Sequence, residues 1–115
     1  MLVDDDVELC QEMAEILLDA GYQVESAPNG SLAKARLGVK GYDLVILDYK
    51  MSVSDGMEVL RFVKEKGLHP RIFLVSGRPF IEKIIKENGL GGMVERIINK
   101  PFNIVDLLTE IKKLK

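Results

Sequence analysis

Two uninterrupted apolar runs, Leu44-Val45-Ile46-Leu47 and Ile72-Phe73-Leu74-Val75, constrain this chain more than any other feature. A strand with one wet face alternates polar and apolar side chains, whereas these blocks have no polar face to offer water. They predict central strands covered on both sides, as in a parallel sheet between two layers of helices. Tyr22-Gln23-Val24-Glu25-Ser26 alternates and predicts a strand nearer an edge, while the stubs Leu2-Val3 and Ile97-Ile98 complete a set of five.

Helical spacing fills the intervals. Val7, Cys10, Ala14, Leu17 and Leu18 fall on one stripe, with Asp6 as its N-cap and Gly21 as its stop. A short helix from Leu32 to Leu37 follows Pro28-Asn29-Gly30, and Asp55-Gly56 precedes a stripe of Met57, Leu60 and Val63 that closes at Gly67. Ile81, Ile84 and Ile85 follow Pro79. Ile104, Leu107, Leu108, Ile111 and Leu114 form the last stripe, with Lys112, Lys113 and Lys115 at the end where positive charge is favoured. Strand and helix thus alternate five times, which predicts parallel strands joined by right-handed crossovers with helices on both faces. Gly89-Leu90-Gly91-Gly92 predicts a loose, mobile loop before the last strand.

At 115 residues the chain has room for one core, so a single domain over 1–115 is expected. Sixteen Lys and Arg against eighteen Asp and Glu leave a net charge of −2, which advertises neither a nucleic-acid nor a membrane surface. One cysteine and one histidine exclude an intrachain disulfide and a His/Cys zinc cage. The start of the chain turns acidic at Asp4 without a basic and then apolar leader, and no apolar run is long enough to span a bilayer. A cytoplasmic protein is expected, with a first strand that looks cut short.

The chemistry follows from topology. In an open α/β sheet the ligand site lies beyond the carboxyl ends of the strands. Asp4, Asp5 and Asp6 follow the first strand, Asp48 ends the third, Ser76 the fourth, and Asn99-Lys100 the fifth. Several carboxylates in one crevice repel one another unless a cation sits among them. Oxygen donors without His or Cys suit a hard ion, and Mg²⁺ takes a few carboxylates, waters and a phosphate. A metal, a hydroxyl and an ammonium around one aspartate predict phosphoryl transfer, with Asp48 as nucleophile forming an acyl phosphate.

Val3-Asp4-Asp5-Asp6, Asp43-Leu44-Val45-Ile46-Leu47-Asp48-Tyr49-Lys50-Met51 with Asp55-Gly56, Val75-Ser76-Gly77 and Lys100-Pro101-Phe102 stand in order at the strand ends. This set resembles the motifs of the two-component response-regulator receiver domain, and the resemblance spans the whole chain. It implies a flavodoxin-like, doubly wound five-stranded parallel sheet of order 2-1-3-4-5 with five helices. It implies that Asp48 is the phosphoacceptor, charged by a sensor histidine kinase or a histidine phosphotransfer protein. Asp4, Asp5, Asp48 and the main-chain carbonyl of Lys50 match the Mg²⁺ ligands, Asp4 largely through water. Ser76 matches the hydroxyl that moves to the phosphoryl group, Lys100 the lysine that pairs with it, and Pro101 a proline commonly joined by a cis bond. Lys50 and Arg78 lie where the family tunes water access to the acyl phosphate, and one of them is expected to contact phosphoryl oxygens or an acidic neighbour. A switched conformation would then regulate an output partner or a phosphorylation-dependent homodimer, with no enzymatic turnover and no direct contact with nucleic acid or membrane. The chain would be a stand-alone regulator, a receiver excised from a longer one, or the receiver of a hybrid kinase.

Departures from the pattern are specific. Met51-Ser52 stands where the family usually has Met-Pro, which frees that loop's φ. Ile97 occupies the switch position commonly held by Tyr or Phe, so the signal would rest on Ser76 and the helix after it. A degenerate receiver acting only as a binding module is an alternative. An aspartyl-phosphate phosphatase would want a second Asp at the place of Lys50, and a flavin or nucleotide binder would want a Gly-rich rather than acidic first loop. Cys10, Met51, Met57 and Met93 are read as packing, and His69 as exposed and inert.

Overall fold

A computed structural model of the chain describes residues 1–51 and 56–114. Ser52, Asp55 and Lys115, used in the readings above, lie outside the described residues.

The two apolar runs lie side by side in the sheet. The strands are β1 (Leu2–Val3), β2 (Ser26–Ala27), β3 (Leu44–Asp48), β4 (Arg71–Ser76) and β5 (Arg96–Asn99). All pair in parallel, in the order β2-β1-β3-β4-β5. The helices α1 (Val7–Asp19), α2 (Gly30–Leu37), α3 (Gly56–Glu65), α4 (Ile81–Glu87) and α5 (Ile104–Lys112) alternate with them. This is the flavodoxin-like architecture that the resemblance implies, and the alternation had predicted its parallel strands and two helical layers. Among the described residues no helix is long and apolar enough to cross a membrane.

The sheet divides the core in two. Val45, Leu47, Ile72 and Leu74 point to the side packed by Ala33, Leu60, Val63 and Ile85. Ile46, Phe73 and Val75 point to the opposite side, against Cys10, Met13, Leu17, Leu107 and Ile111. Alternate residues of one strand therefore serve different layers, which is why no polar residue interrupts the runs. Each fully buried Leu or Phe contributes about 1.5–3 kcal/mol relative to exposure.

Three expectations are corrected. The second strand is not residues 22–26 but Ser26–Ala27, because its partner β1 offers only Leu2 and Val3 for pairing. On α1, Val7 and Leu18 are exposed rather than buried, and the inward stripe is Cys10, Met13 and Leu17. Leu18 is rotated by more than a quarter turn from Leu17 and points outward. The glycine-rich stretch after α4 is organised: Gly89 closes the helix with φ +72°, Leu90 is buried, and Gly91–Met93 forms a 3-10 turn. The bond from the Leu90 N–H to the Ile85 carbonyl (2.9 Å) completes a Schellman-type stop.

Asp6 caps α1, its side chain accepting from the Leu9 N–H at 3.1 Å. His69 is exposed, Met51 and Met57 are core residues, and Met93 packs against the same core cluster.

Candidate functional site

Parallel strands that end level with one another place their last residues along one rim. Asp48 is the last residue of β3 and Ser76 the last of β4, and both are buried at 3% exposure. Asn99 ends β5 opposite Ser76, and Lys100 follows it, its N–H donating to the Ser76 carbonyl at 2.9 Å. Asp4 and Asp5 leave β1 at the same rim. One carboxylate oxygen from each of Asp4, Asp5 and Asp48 lies within 4.8 Å of the others. The Lys100 Nζ lies 3.0 Å from Asp48 Oδ1, and the Lys100-Pro101 peptide is cis.

The loop after β1 is held by its own polar groups. Asp4 Oδ1 accepts from the Asp6 N–H (3.0 Å), the Asp4 N–H donates to the Ala27 carbonyl (3.1 Å), and the Cys10 thiol reaches the Asp4 carbonyl (3.6 Å). Burial pushes the Cys10 thiol up to about 11, with the surrounding aspartates adding to the effect, so it stays protonated and inert near neutrality.

Burial is also the largest influence on Asp48. Together with the negative charges of Asp4 and Asp5, it pushes the Asp48 carboxyl up to about 6, against the opposing hydrogen bond and charge of Lys100. Burial works against the Lys100 ammonium as well, yet its bond to Asp48 and the attraction of the three carboxylates hold it above the ordinary lysine range. The pair is favourable to both charged partners, but at Asp48 burial and the two neighbouring carboxylates outweigh it. Asp48 is far more buried than Lys100, and three carboxylates face one ammonium, so negative charge at the cluster is incompletely compensated. This crowding of oxygen-only donors fits a hard divalent cation and does not fit zinc or copper.

The remaining predicted residues fall around this centre. Ser76 Oγ accepts from the Arg78 N–H at 3.0 Å. Arg78 and Lys50 are exposed, and neither side chain has an ion pair among the described residues. Ile97 is half-buried on β5, paired with Leu74 and packed against the core. Gly56, quoted in the motif set without a role, has one in the structure. A Cβ on Gly56 would lie 3.0 Å from the Asp48 carbonyl oxygen and 3.0 Å from Tyr49 Cα, and the Gly56 N–H donates to the Tyr49 carbonyl at 2.6 Å. Only glycine lets α3 approach the Asp48 backbone so closely; its signal was a glycine at the first position of a helix.

Comparison with known proteins agrees with this geometry. Residues 1–112 match the family model described as the response regulator receiver domain. The chain is 32% identical over 114 residues to the transcriptional regulatory protein CpxR homolog of Haemophilus influenzae, covering 99% of this chain and 48% of that protein. It thus spans about half the length of several regulators that it matches, whereas it covers 93% of the receiver protein CpdR of Brucella abortus, at 28% identity and with 99% of this chain aligned. A CheY-like receiver domain from Methanospirillum hungatei superposes with a TM-score of 0.86 at 29% identity, over 99% of this chain and 90% of that one. The response regulator TrrA of Thermotoga maritima, solved in complex with Mg²⁺ and BeF, gives 0.80 at 28% identity over 99% and 96%. Sheet order, rim chemistry and these likenesses lead to one conclusion: the chain belongs to the response regulator receiver domain family.

Proposed function

We propose that this chain, folded as a single domain over 1–115, accepts a phosphoryl group on Asp48 from the phosphohistidine of a sensor histidine kinase or a histidine phosphotransfer protein. The observation that carries the proposal is a buried carboxylate with an ammonium at 3.0 Å and two further carboxylates within 4.8 Å. An Asp48 oxygen attacks phosphorus as the P–N bond of the donor breaks, and the departing imidazole nitrogen keeps the electron pair. Asp4, Asp5, Asp48 and the main-chain carbonyl of Lys50 would hold Mg²⁺, which when bound offsets charge on the phosphoryl oxygens. The TrrA complex with Mg²⁺ and BeF supports that assignment by likeness.

The chain's own groups do the rest. The Lys100 ammonium, released as phosphorylation takes the negative charge from the Asp48 carboxylate, pairs with a phosphoryl oxygen. Ser76 turns its hydroxyl to the same group and gives up the bond from the Arg78 N–H. Ile97, at the position of the usual aromatic switch, offers no ring to swing inward, so the change passes chiefly through Ser76 and the loop leading into α4. Lys50 and Arg78 flank the acceptor and set how readily water reaches the acyl phosphate. The domain acts in the cytoplasm as an acceptor and switch for an output partner or homodimer, not as a turnover enzyme, and it needs no direct contact with nucleic acid.

Incubation with phosphoramidate, a small P–N donor, tests this. One phosphoryl group per chain is expected by intact mass in Mg²⁺, labile to hydroxylamine and absent in EDTA; a protein of unchanged mass would overturn the proposal.

A further inference from the structure

Helix α4 is fastened very differently at its two ends. It starts from Phe80, whose φ of +60° and ψ of +26° lie in the left-handed region, where a Cβ is crowded, and its side chain makes no capping bond. The ring of Phe80 is exposed and returns nothing through burial. The other end is closed. The Asn88 and Leu90 N–H groups donate to the Ile84 and Ile85 carbonyls, Asn88 Nδ2 adds a second bond to the Ile84 carbonyl at 2.8 Å, and Leu90 is buried.

Part of that closure comes from outside the helix. Lys64 Nζ donates to the Gly89 carbonyl at 2.8 Å, and Arg61 Nη2 donates to Asn88 Oδ1 at 3.1 Å. Both cations sit on α3, three positions apart and so on one face of it. They meet the end of α4 where carbonyls lack helical partners and positive charge is favoured. α3 is itself immobilised: Val59, Leu60 and Val63 are fully buried, and its first residue, Gly56, is bonded to the Tyr49 carbonyl beside Asp48.

We propose that Arg61 and Lys64 clamp the C-terminal end of α4 to α3, so that α4 moves by swinging its uncapped N-terminal end about a pivot at Asn88 and Gly89. A clamp of exposed groups is a modest one, yet two hydrogen bonds at one end suffice to decide which end of a seven-residue helix opens first. The proposal deepens the switch reading given above: Ser76 and the Arg78 N–H act at the free end, and Arg61 and Lys64 set the fixed one. It rests on that reading only for what drives the swing, since the clamp itself needs no phosphoryl group on Asp48.

The unphosphorylated chain tests it, so failure of phosphoryl transfer would leave the result untouched. Amide hydrogen exchange followed by NMR reads the opening of each turn of α4. In the parent, the Asn88 and Leu90 amides are expected to be protected at least as strongly as the Ile84 amide, although helix ends ordinarily fray. Lys64→Met should lower protection at 88–90 by about threefold, and Arg61→Ala combined with Lys64→Ala by about tenfold, with Ile84 changed by less than about twofold. Lys64→Arg, which keeps the charge and a donor, should retain most of the parent's protection. Both positions are exposed, so the variants keep their core. Exchange at 88–90 that is faster than at Ile84 in the parent, unchanged in the double variant, accelerated equally at Ile84, or as fast in Lys64→Arg as in Lys64→Met would overturn the proposal.

Discussion

Lys100 Nζ meets Asp48 Oδ1 at 3.0 Å, although β4 stands between the strands that carry them. The lysine crosses the carboxyl end of β4 above Ser76, so the three residues form one row along the rim. In this row a buried carboxylate is matched by a partly exposed ammonium.

Lys100→Met removes the cation and leaves three carboxylates facing one another. The metal-free variant should lose about 1–3 kcal/mol of stability, at the lower end because the lysine is partly solvated. Its Asp48 carboxyl should titrate above the value of about 6 in the parent. Urea unfolding and carboxyl NMR titration measure the two effects.

The pH dependence has a definite sign. Asp48 has a folded value of about 6 against an ordinary 3.8, so between these values the folded state binds more protons than the unfolded one. Stability from this group therefore falls as pH rises from about 4 to 6 and stays low above. Asp48→Asn should stabilise the metal-free protein at pH 7 by on the order of 2 kcal/mol and flatten that slope. Thermal melts across pH, with EDTA present, check it; an Asn variant less stable than the parent at pH 7 would count against the crowded cluster.

Gly56→Ala places a methyl 3.0 Å from the Asp48 carbonyl oxygen and from Tyr49 Cα. Both neighbours are backbone and yield little, so a loss of about 1–3 kcal/mol is expected. Because the displaced backbone carries Asp48, the proposed acceptor, phosphoryl uptake should slow more than stability alone explains, which single-turnover labelling of the folded variant would reveal.

Much of the fold was legible because the strongest signal was also the most geometric. Two runs with no polar face had to be sandwiched, and parallel alternation then sent Asp4, Asp48, Ser76 and Lys100 to one rim. What was hidden depended on neighbours. The alternation of residues 22–26 is real in their side chains, yet strand pairing requires a partner, and β1 offers two residues. The outward turn of Val7 and Leu18 follows from how α1 is rotated against Phe73 and Ile46, which no stripe drawn on one helix reveals. At the rim, residue types marked a cation-binding crevice, but the Lys100 contact across β4, the Arg78 N–H on Ser76 and the fit of Gly56 exist only once the elements pack.

Lys50 and Arg78, exposed two residues beyond Asp48 and Ser76, should govern the lifetime of the proposed acyl phosphate. Either Lys50→Ala or Arg78→Ala should change the dephosphorylation rate by about threefold or more, through the positioning or exclusion of water. Decay of the labelled protein after removal of the donor measures this, and unchanged rates in both variants would remove them from the site.

The most direct measurement is to locate the acyl phosphate chemically. Borohydride reduces an aspartyl phosphate to homoserine, so peptide mapping after treatment with donor and Mg²⁺ reads the acceptor's position. Homoserine at position 48 alone, absent without Mg²⁺, is the predicted result. Homoserine at position 4 or 5, or at none, would contradict the account.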